Sequence, residues 1–449
     1  MPEVDEIWTH PEPFNIKRKC IGVTNCSGAT NIIEGDLHMN LTKEEEAILR
    51  GERGEAQKIA MNLLVKAGEA IEAESLVQVC SAHIHPAMPL SEYPEEAFID
   101  VVDYFASLGG RFKIITTLNP EGCDQEYSLP VPRTPSYLAK QSKLTELYKR
   151  MGAIHVWGCI PYFDLNVPRY GEHVAWGENT AAAYANTVLG ARTNIEPFEI
   201  ALAAALTGRA PNCGMHLDEN RRGDVLVSIE ETMQLESATP SDYTLLGKYL
   251  GNKLVAVNSK TPVIKGIPRN ISPESMKNLV TCMTGDCGAP LYHIVGITPE
   301  ARTVEEAFQD QTPKEKIKAD PHEMEKLRRQ LMSFSKDDKI DIVIFGCPHY
   351  HLNEIKRLAE LLKGNRVHKD TQLWLCTNTS IRQQAKDLGY VDTIESAGGK
   401  VFRACGYMCY KFNPELNILS DYAFVAKGGK TGYAPTDTCI KAAIEGRMP

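Results

Sequence analysis

The last third of the chain alternates short apolar segments with amphipathic segments, and this alternation restricts the fold more than any other feature of the sequence. Buried strands are predicted where the apolar runs lie, at 340–345, 372–375 and 400–403. Helical periodicity fills the segments between them, at 351–362 and from about 378 to 388. A β-α-β-α-β order needs crossover connections, so it predicts a parallel sheet with helices packed on its faces across about 338–410.

The same two patterns occur in the first half of the chain, in shorter pieces. Helices are predicted at 55–73, 95–108, 180–185 and 196–207, and strands at 76–80, 112–118 and 153–157. Asn40 or Thr42 can cap a further helix whose first turn is acidic. Residues 1–40 show no sustained periodicity, so they are predicted to form an N-terminal extension to a folded region at 41–449.

Cysteines stand at the ends of the predicted strands. Cys347, Cys376 and Cys405 each lie at the carboxyl end of a strand in the last third, where the ligands of open α/β sheets collect. Cys159 lies elsewhere, in the segment WGCIPY, but it also occupies a turn marked by glycine and proline. Three thiolates from distant segments suit a metal or iron–sulfur centre that leaves one position open for a substrate.

The cysteine pattern leaves alternatives open. Cys376 could simply end a buried strand, and Cys409 lies four residues after the last strand-end cysteine. His349 and His351 follow Cys347 closely, so a mononuclear zinc or non-haem iron site on these three residues is an alternative. The chain has 13 cysteines, an odd number at irregular spacings, which argues against a disulfide framework.

A polar region after Cys159 is rich in side chains that bind carboxylates or transfer protons. Arginine beside hydroxyl and amide groups suits the binding of a carboxylate or phosphate, and Glu and His can transfer protons. The candidates in this region are Arg169, Glu172, His173, Glu178, Asn179, Arg192, Thr193 and Asn194. Ser81 and His83 follow the strand predicted at 76–80 and are further candidates for catalysis. Asn119 follows the strand predicted at 112–118 and is a further candidate for binding the substrate.

Charge and hydropathy argue against several classes of function. The net charge is −9 and no run of lysine or arginine exceeds three residues, so binding to nucleic acid or to an anionic membrane has little support. No uncharged apolar stretch reaches about 18 residues, so no transmembrane helix is predicted. The acidic N-terminus lacks a secretory pattern, and the protein is predicted to be cytoplasmic. There is neither a Walker A motif nor a convincing GxGxxG motif.

A series of motifs, taken in order, resembles the large catalytic subunit of the aconitase X family, a divergent branch of the aconitase superfamily. The resemblance covers roughly 40–449. Its motifs are LTKEEE at 41–46, CSAHI at 80–84, TTLNP at 116–120, CIPY at 159–162, VPRYGEHVAW at 167–176, ANTVLGARTN at 185–194, VGITPEA at 295–301, FGCPH at 345–349 and AGGK at 397–400.

This resemblance implies an α/β fold, with an aconitase-like core of several three-layer parallel-sheet subdomains. It also implies an iron–sulfur cluster, with 4Fe–4S favoured, whose three cysteines map onto Cys159, Cys347 and Cys405. The stretch before Cys405 is one residue shorter than the family pattern, so Cys409 stays an alternative third ligand. Family members dehydrate cis-3-hydroxy-L-proline or 5-phosphomevalonate, so the implied function is that of a hydro-lyase acting on a small hydroxy acid.

The resemblance further implies residue roles and a partner. Candidates for binding the substrate's carboxylate or phosphate are Arg169, Arg192 and Asn194. Candidates for orienting it or protonating the departing hydroxide are Glu172, His173 and Glu178. The superfamily completes its site with a small swivelling domain that carries an essential serine, and this domain is expected on a separate small subunit. A hydroxyproline-like acid is favoured over 5-phosphomevalonate because no extra basic cluster stands out, and a non-catalytic iron–sulfur or RNA-binding protein is the alternative of another class.

Overall fold

The structure, a computed structural model, describes residues 39–85, 95–122, 124, 135–163, 165–406, 415–426 and 429–449, which belong to one compact unit at 38–449. The predicted extension at 1–40 therefore lies almost wholly outside the described residues, and so does Cys409.

The described helices are α1 (Lys43–Leu49), α2 (Glu55–Ala70), α3 (Glu95–Ser107), α4 (Pro135–Met151), α5 (Asn179–Tyr184), α6 (Phe198–Thr207), α7 (Pro240–Ala256), α8 (Pro273–Cys287), α9 (Val304–Ala307), α10 (Pro321–Leu331), α11 (Leu352–Leu362), α12 (Thr379–Asp387), α13 (Tyr390–Ser396) and α14 (Thr436–Glu445). The described strands are β1 (Leu76–Gln78), β2 (Ser81–Ile84), β3 (Ile115–Leu118), β4 (Ala175–Trp176), β5 (Arg209–Pro211), β6 (Val225–Ser228), β7 (Val263–Lys265), β8 (His293–Ile294), β9 (Glu315–Lys318), β10 (Ile342–Phe345), β11 (Gln372–Cys376), β12 (Gly399–Phe402), β13 (Ile418–Ser420) and β14 (Thr431–Tyr433).

A five-stranded sheet occupies the last third of the chain, in the order β12-β11-β10-β13-β14. Every neighbouring pair in it is parallel. Its strands β10, β11 and β12 match the three predicted from apolar runs, and the helices α11, α12 and α13 connect them. The parallel sheet predicted from the alternating pattern is therefore confirmed.

Two smaller parallel sheets and one antiparallel pair complete the described strands. The orders are β3-β2-β4, β8-β7-β6-β9 and β1-β5, and only the β1-β5 pair is antiparallel. The strand predicted at 153–157 is wrong, because these residues form turns and Trp157 adopts a φ of 46°. That left-handed conformation is incompatible with an extended strand, and it turns the chain immediately before Cys159.

One apolar core joins the three parallel sheets. It includes Trp176 of β4, Val227 of β6, Val343 of β10 and Leu419 of β13, all fully buried. Burial of this kind contributes about 25 cal/mol per Å² of apolar surface, and close packing of the shared core fixes the sheets against one another. The loops at their strand ends therefore hold defined relative positions. None of the described helices is long and apolar enough to span a membrane.

Candidate active site

A cavity of about 330 Å³ lies between the carboxyl ends of the three-stranded and five-stranded parallel sheets. The lining includes His85, Asn119, Glu178, Cys347, Cys405 and Tyr422, each of which lies one to three positions after the end of a strand. The other lining residues are Pro120, Cys159, Asn179, Thr180, Thr281, Gly285, Gly346, Pro348, His349, Gly406 and Phe424. Ligands of α/β proteins bind at such strand ends, so this cavity is the candidate active site.

The three cysteines singled out in the sequence all line this cavity. Cys159, Cys347 and Cys405 come from separate loops, and each is half-buried. The Sγ of Cys159 accepts a hydrogen bond from the backbone N–H of His349, with 3.3 Å between nitrogen and sulfur. Burial raises the pKa of the Cys159 thiol well above its ordinary value, so a positive charge in the cavity is needed to hold this group as a thiolate.

Three cysteine thiols on the wall of one cavity are a donor set that can hold an iron–sulfur cluster. Within the part of the chain that the structure describes, no three Cys, His, Asp or Glu side chains converge closely enough to hold one metal ion. In a cluster, the cysteine thiolates bind different irons, so they must stand apart around a shared volume. Three thiols on the wall of one cavity meet that requirement.

The alternative mononuclear set of Cys347, His349 and His351 is not brought together. The Nε2 of His349 lies 3.0 Å from the carbonyl oxygen of Ala404. The Nδ1 of His351 lies 3.3 Å from Oε1 of Glu274, on a ring that is turned towards another helix. The two imidazoles therefore serve different contacts, and the structure does not support a Cys/His site at this loop.

Cys376 lies behind the cavity and is absent from its lining. It ends β11 and is fully buried. Gly346 adopts a φ of +91°, and a Cβ at this position would lie 2.0 Å from the carbonyl oxygen of Cys376. Only glycine fits so close to a neighbouring strand, so the loop carrying Cys347 can cover the end of β11. A Cβ at Gly406 would lie 3.4 Å from Sγ of Cys376, so Cys376 lies directly behind this part of the wall without lining the cavity.

Three predicted residues that handle substrate or protons lie in the cavity, namely Asn119, Glu178 and Asn179. The Oε2 of Glu178 accepts hydrogen bonds from the backbone N–H of Ala181 at 2.6 Å and from Oγ1 of Thr180 at 2.7 Å. Burial raises the pKa of Glu178, an effect that these hydrogen bonds oppose. A carboxyl group with a raised pKa beside the cysteines is suited to proton transfer.

Ser81 and His83 lie on β2, buried in the layer behind the cavity wall. The Nδ1 of His83 is 2.9 Å from Oγ1 of Thr117, and its Nε2 is 3.2 Å from Oδ1 of Asn119. Burial lowers the pKa of His83 to about 3, so the ring is neutral and Nε2 donates to Asn119. The Oγ of Ser81 accepts from Nε1 of Trp176 at 3.1 Å. Neither residue lines the cavity, and the catalytic role expected of both stays a prediction.

Arg192, Thr193 and Asn194 belong to a second polar cluster, which is not part of the cavity lining. Arg192 donates through Nη1 to the carbonyl oxygen of His216 at 3.0 Å, and its Nη2 contacts Asp218. The Nδ2 of Asn194 donates to Oε1 of Glu196 at 3.2 Å. These contacts occupy groups that were predicted to bind a carboxylate or phosphate, and that role stays a prediction.

His173, Glu172 and Arg169 also lie outside the cavity lining. The Nδ1 of His173 is 2.9 Å from Nδ1 of His216, and burial lowers the pKa of His173 to about 4. The Oε2 of Glu172 accepts from the backbone N–H of Arg169 at 2.8 Å, which closes a turn, and the Arg169 residue is exposed. Their catalytic and binding roles stay predictions.

The structure adds residues to the site that sequence reasoning missed. These are His85, Thr180, Thr281, Tyr422 and Phe424. Burial lowers the pKa of His85 to about 4, so this ring is neutral. His85 directly follows β2 in the structure, but the strand predicted from the sequence ends five residues earlier, at 80. Thr281 and Gly285 stand one turn apart on α8, a helix whose sequence carries no motif that points to a site.

A buried ion pair supports the loop that carries Cys347. Lys277 on α8 is 0% exposed, and its Nζ lies 2.6 Å from Oε2 of Glu354 and 3.0 Å from the carbonyl oxygen of His349. The same Oε2 accepts from the backbone N–H of His351 at 2.8 Å, at the start of α11. Two charges withdrawn from water in this way depend on each other.

Replacing Lys277 with methionine is expected to lower the free energy of unfolding by about 3–5 kcal/mol, because Glu354 would stay buried without its partner. The double variant Lys277→Met/Glu354→Leu removes both charges and is expected to recover most of that loss. Denaturant unfolding followed by circular dichroism measures both. If the single and double variants unfold at the same denaturant concentration as the parent, the ion pair does not contribute to stability in the way expected here.

Family models cover nearly all of the described chain. The first domain of aconitase X matches 38–219, the second domain 223–329 and the third domain 340–445. A phosphomevalonate dehydratase large subunit of Thermococcus kodakarensis is 35% identical over 367 residues, which cover 81% of this chain and 87% of that protein. A cis-3-hydroxy-L-proline dehydratase of Pseudomonas aeruginosa is 30% identical over 429 residues, covering 92% of this chain and 71% of that protein.

A solved structure agrees with these sequence matches. The crystal structure of Thermococcus kodakaraensis aconitase X in its holo-form superposes with a TM-score of 0.77 at 33% identity, covering 90% of this chain and 100% of that chain. The agreement confirms the predicted α/β fold and the predicted family. On its sequence, its three matched domains and its fold, this chain belongs to the aconitase X family.

Proposed function

We propose that this chain is the catalytic large subunit of an iron–sulfur-dependent dehydratase that removes water from a small hydroxy acid. One observation carries the proposal: Cys159, Cys347 and Cys405 line the same cavity as Glu178 and Asn119. The relatives reported above are named dehydratases, so the chain is a hydro-lyase on the basis of homology. Such kinship favours an enzyme over a non-catalytic iron–sulfur or RNA-binding protein.

The three cysteines would hold the cluster, which when bound supplies a Lewis acid that polarises a substrate oxygen. The other groups of the cavity act on the rest of the substrate. The Oε2 of Glu178 is occupied by Thr180 and Ala181, so Oε1 is the atom that can present a proton to the departing hydroxide. The raised pKa of Glu178 favours the protonated form that this step needs.

Two asparagines are arranged to bind a carboxylate. The Oδ1 of Asn119 accepts from His83, and the Oδ1 of Asn179 accepts from the backbone N–H of Thr180 at 2.9 Å. With their oxygens engaged, both side chains offer their Nδ2 donors to a ligand of the cavity. Carboxylate oxygens only accept hydrogen bonds, so two amide donors suit that group.

Each of two substrates is favoured by a different observation. Phosphomevalonate is favoured by the 35% identity to large subunits named for that substrate. Cis-3-hydroxy-L-proline is favoured by the cavity, whose lining among the described residues contains no lysine or arginine. A phosphate carries up to two negative charges, and proteins usually bind it through such cations.

The partner in this proposal is a separate small subunit. The Thermococcus relative is named a large subunit, which supports the swivel-domain partner that the sequence predicts. A small subunit could also bring the basic groups that the described lining lacks. The cytoplasmic location stays a prediction.

The function is tested with the chain reconstituted anaerobically with iron and sulfide and combined with its small subunit. We expect loss of water from one of the two acids, detected by mass spectrometry of the product, and no turnover after the cluster is removed by a chelator. Malate serves as a control hydroxy acid of similar size. A cluster-loaded complex that dehydrates neither candidate would contradict the proposed function.

A further inference from the structure

His349 contacts all three of the cysteine-bearing segments. It follows Cys347 by two residues on the same loop. Its backbone N–H donates to Sγ of Cys159 at 3.3 Å. Its ring Nε2 lies 3.0 Å from the carbonyl oxygen of Ala404, the residue directly before Cys405. One residue thus connects three loops that are far apart in the sequence.

The orientation of the His349 ring follows from these contacts. A carbonyl oxygen only accepts, so Nε2 carries a hydrogen and donates it to Ala404. The residue is 1% exposed and lines the cavity, and its Nδ1 has no hydrogen-bond partner among the described residues. An apolar residue of similar size would avoid the cost of burying that nitrogen. Packing alone therefore does not account for a histidine here.

The peptide group of His349 is held from its other side. Lys277 donates to the carbonyl oxygen of His349 at 3.0 Å. Two residues further on, the backbone N–H of His351 donates to the carboxylate of Glu354 at 2.8 Å. Both ends of this short segment are thus fixed by the buried ion pair. The contact from Lys277 fixes the peptide plane between residues 349 and 350, and this plane adjoins the one that carries the N–H of His349. It therefore restricts the backbone rotation that could turn this N–H away from Cys159.

We propose that His349 is a positioning residue that ties the three cysteine-bearing loops into one ligand set, with Lys277 as its brace. The inference rests on the proposed function for the cluster. Side chains that orient metal ligands commonly affect metal retention as strongly as some ligands do. The hydrogen bond to Cys159 would also withdraw charge from that sulfur, which tunes the reduction potential of a bound cluster.

The variants His349→Ala and His349→Gln separate this role from simple packing. Alanine removes the contact to Ala404, whereas the glutamine amide can still donate to that carbonyl oxygen. His351→Ala is a matched control, because it removes an imidazole from the same loop whose contact is with Glu274. After anaerobic reconstitution, we expect His349→Ala to retain iron about 10- to 100-fold less tightly against a chelator. We expect His349→Gln and His351→Ala to stay close to the parent.

A second measurement does not depend on a cluster. In the metal-free chain, iodoacetamide should alkylate Cys159 several-fold faster in His349→Ala than in the parent or in His351→Ala, as followed by peptide mass mapping. Equal alkylation rates together with parental iron retention and reduction potential would overturn the proposal. So would a His349→Gln variant that fails to fold or that loses iron as readily as His349→Ala. A parent that takes up no cluster would refute the proposed function, while the alkylation rates would still decide the His349 contacts.

Discussion

Serine in place of Cys159 or Cys347 is expected to lower dehydratase activity below about one-hundredth of the parent value and to prevent stable cluster uptake. A serine hydroxyl is not ionised at neutral pH and is a harder ligand than a thiolate, so it binds iron–sulfur clusters poorly. Loss of a residue that merely orients a ligand commonly costs about 10- to 100-fold, so loss of the ligand itself should cost at least as much. Iron and acid-labile sulfide per chain, the visible spectrum and turnover measure this result.

Two other cysteines provide controls for these variants. Cys439 is fully buried, and its Sγ donates to the carbonyl oxygen of Ala434 at 3.3 Å, a contact that a serine hydroxyl can replace. Cys439→Ser and Cys376→Ser are both expected to keep the cluster. Parental iron and sulfide in Cys159→Ser or Cys347→Ser would contradict the assignment of these two ligands.

The third ligand is decided by comparing Cys405→Ser with Cys409→Ser. Because Cys405 lines the cavity and is the cysteine onto which the resemblance maps the third ligand, we expect iron loss in Cys405→Ser and retention in Cys409→Ser. The reverse result would transfer the third ligand to Cys409 and leave the other two assignments intact.

The purified chain without a second polypeptide is expected to be inactive, even when its cluster is fully loaded. The resemblance places an essential serine on the small swivelling domain, and a positioned group that takes part in proton transfer commonly contributes about 10²- to 10⁴-fold in rate. The cavity lining supports this expectation, because its described histidines, His85 and His349, are neutral and it contains no lysine or arginine. A ligand with two negative charges would be poorly bound by that lining alone.

This expectation is tested by titrating the small subunit into a fixed amount of the cluster-loaded chain. Activity should rise with the added subunit and saturate near one small subunit per chain. A small subunit whose serine is replaced by alanine is the matched control, because it should bind without restoring turnover. Full activity of the chain alone would contradict the two-subunit arrangement.

Local patterns in the sequence were sufficient for the fold class. The strands β10, β11 and β12 were predictable because their apolar runs report burial on both faces of a parallel sheet, a property of each segment taken alone. The same reasoning placed Cys347 and Cys405 at strand ends. It failed at 153–157, where Trp157 adopts a left-handed conformation that apolar composition does not reveal.

The membership of the site could be predicted only in part. The sequence and its family resemblance predicted that Cys159, Cys347 and Cys405 share one site, and all three line one cavity. They also grouped Arg192 and His173 with those cysteines, whereas the structure turns both towards His216 and Asp218. Neighbours in the sequence leave a loop in different directions, so proximity along the chain is weak evidence for proximity in space.

The sequence by itself determined that the chain forms parallel α/β sheets, that it belongs among the dehydratases of its family and that Cys347 and Cys405 follow strand ends. Only the tertiary structure decided which polar groups share the cavity with them, and it alone revealed that His349 joins the three loops and that Lys277 holds His349 in place. The physical reason is one of range. Periodicity and turn residues reflect interactions between residues close in the chain. An active site depends on how near distant segments come to one another, and the packing of the sheets and helices around the shared core fixes those distances.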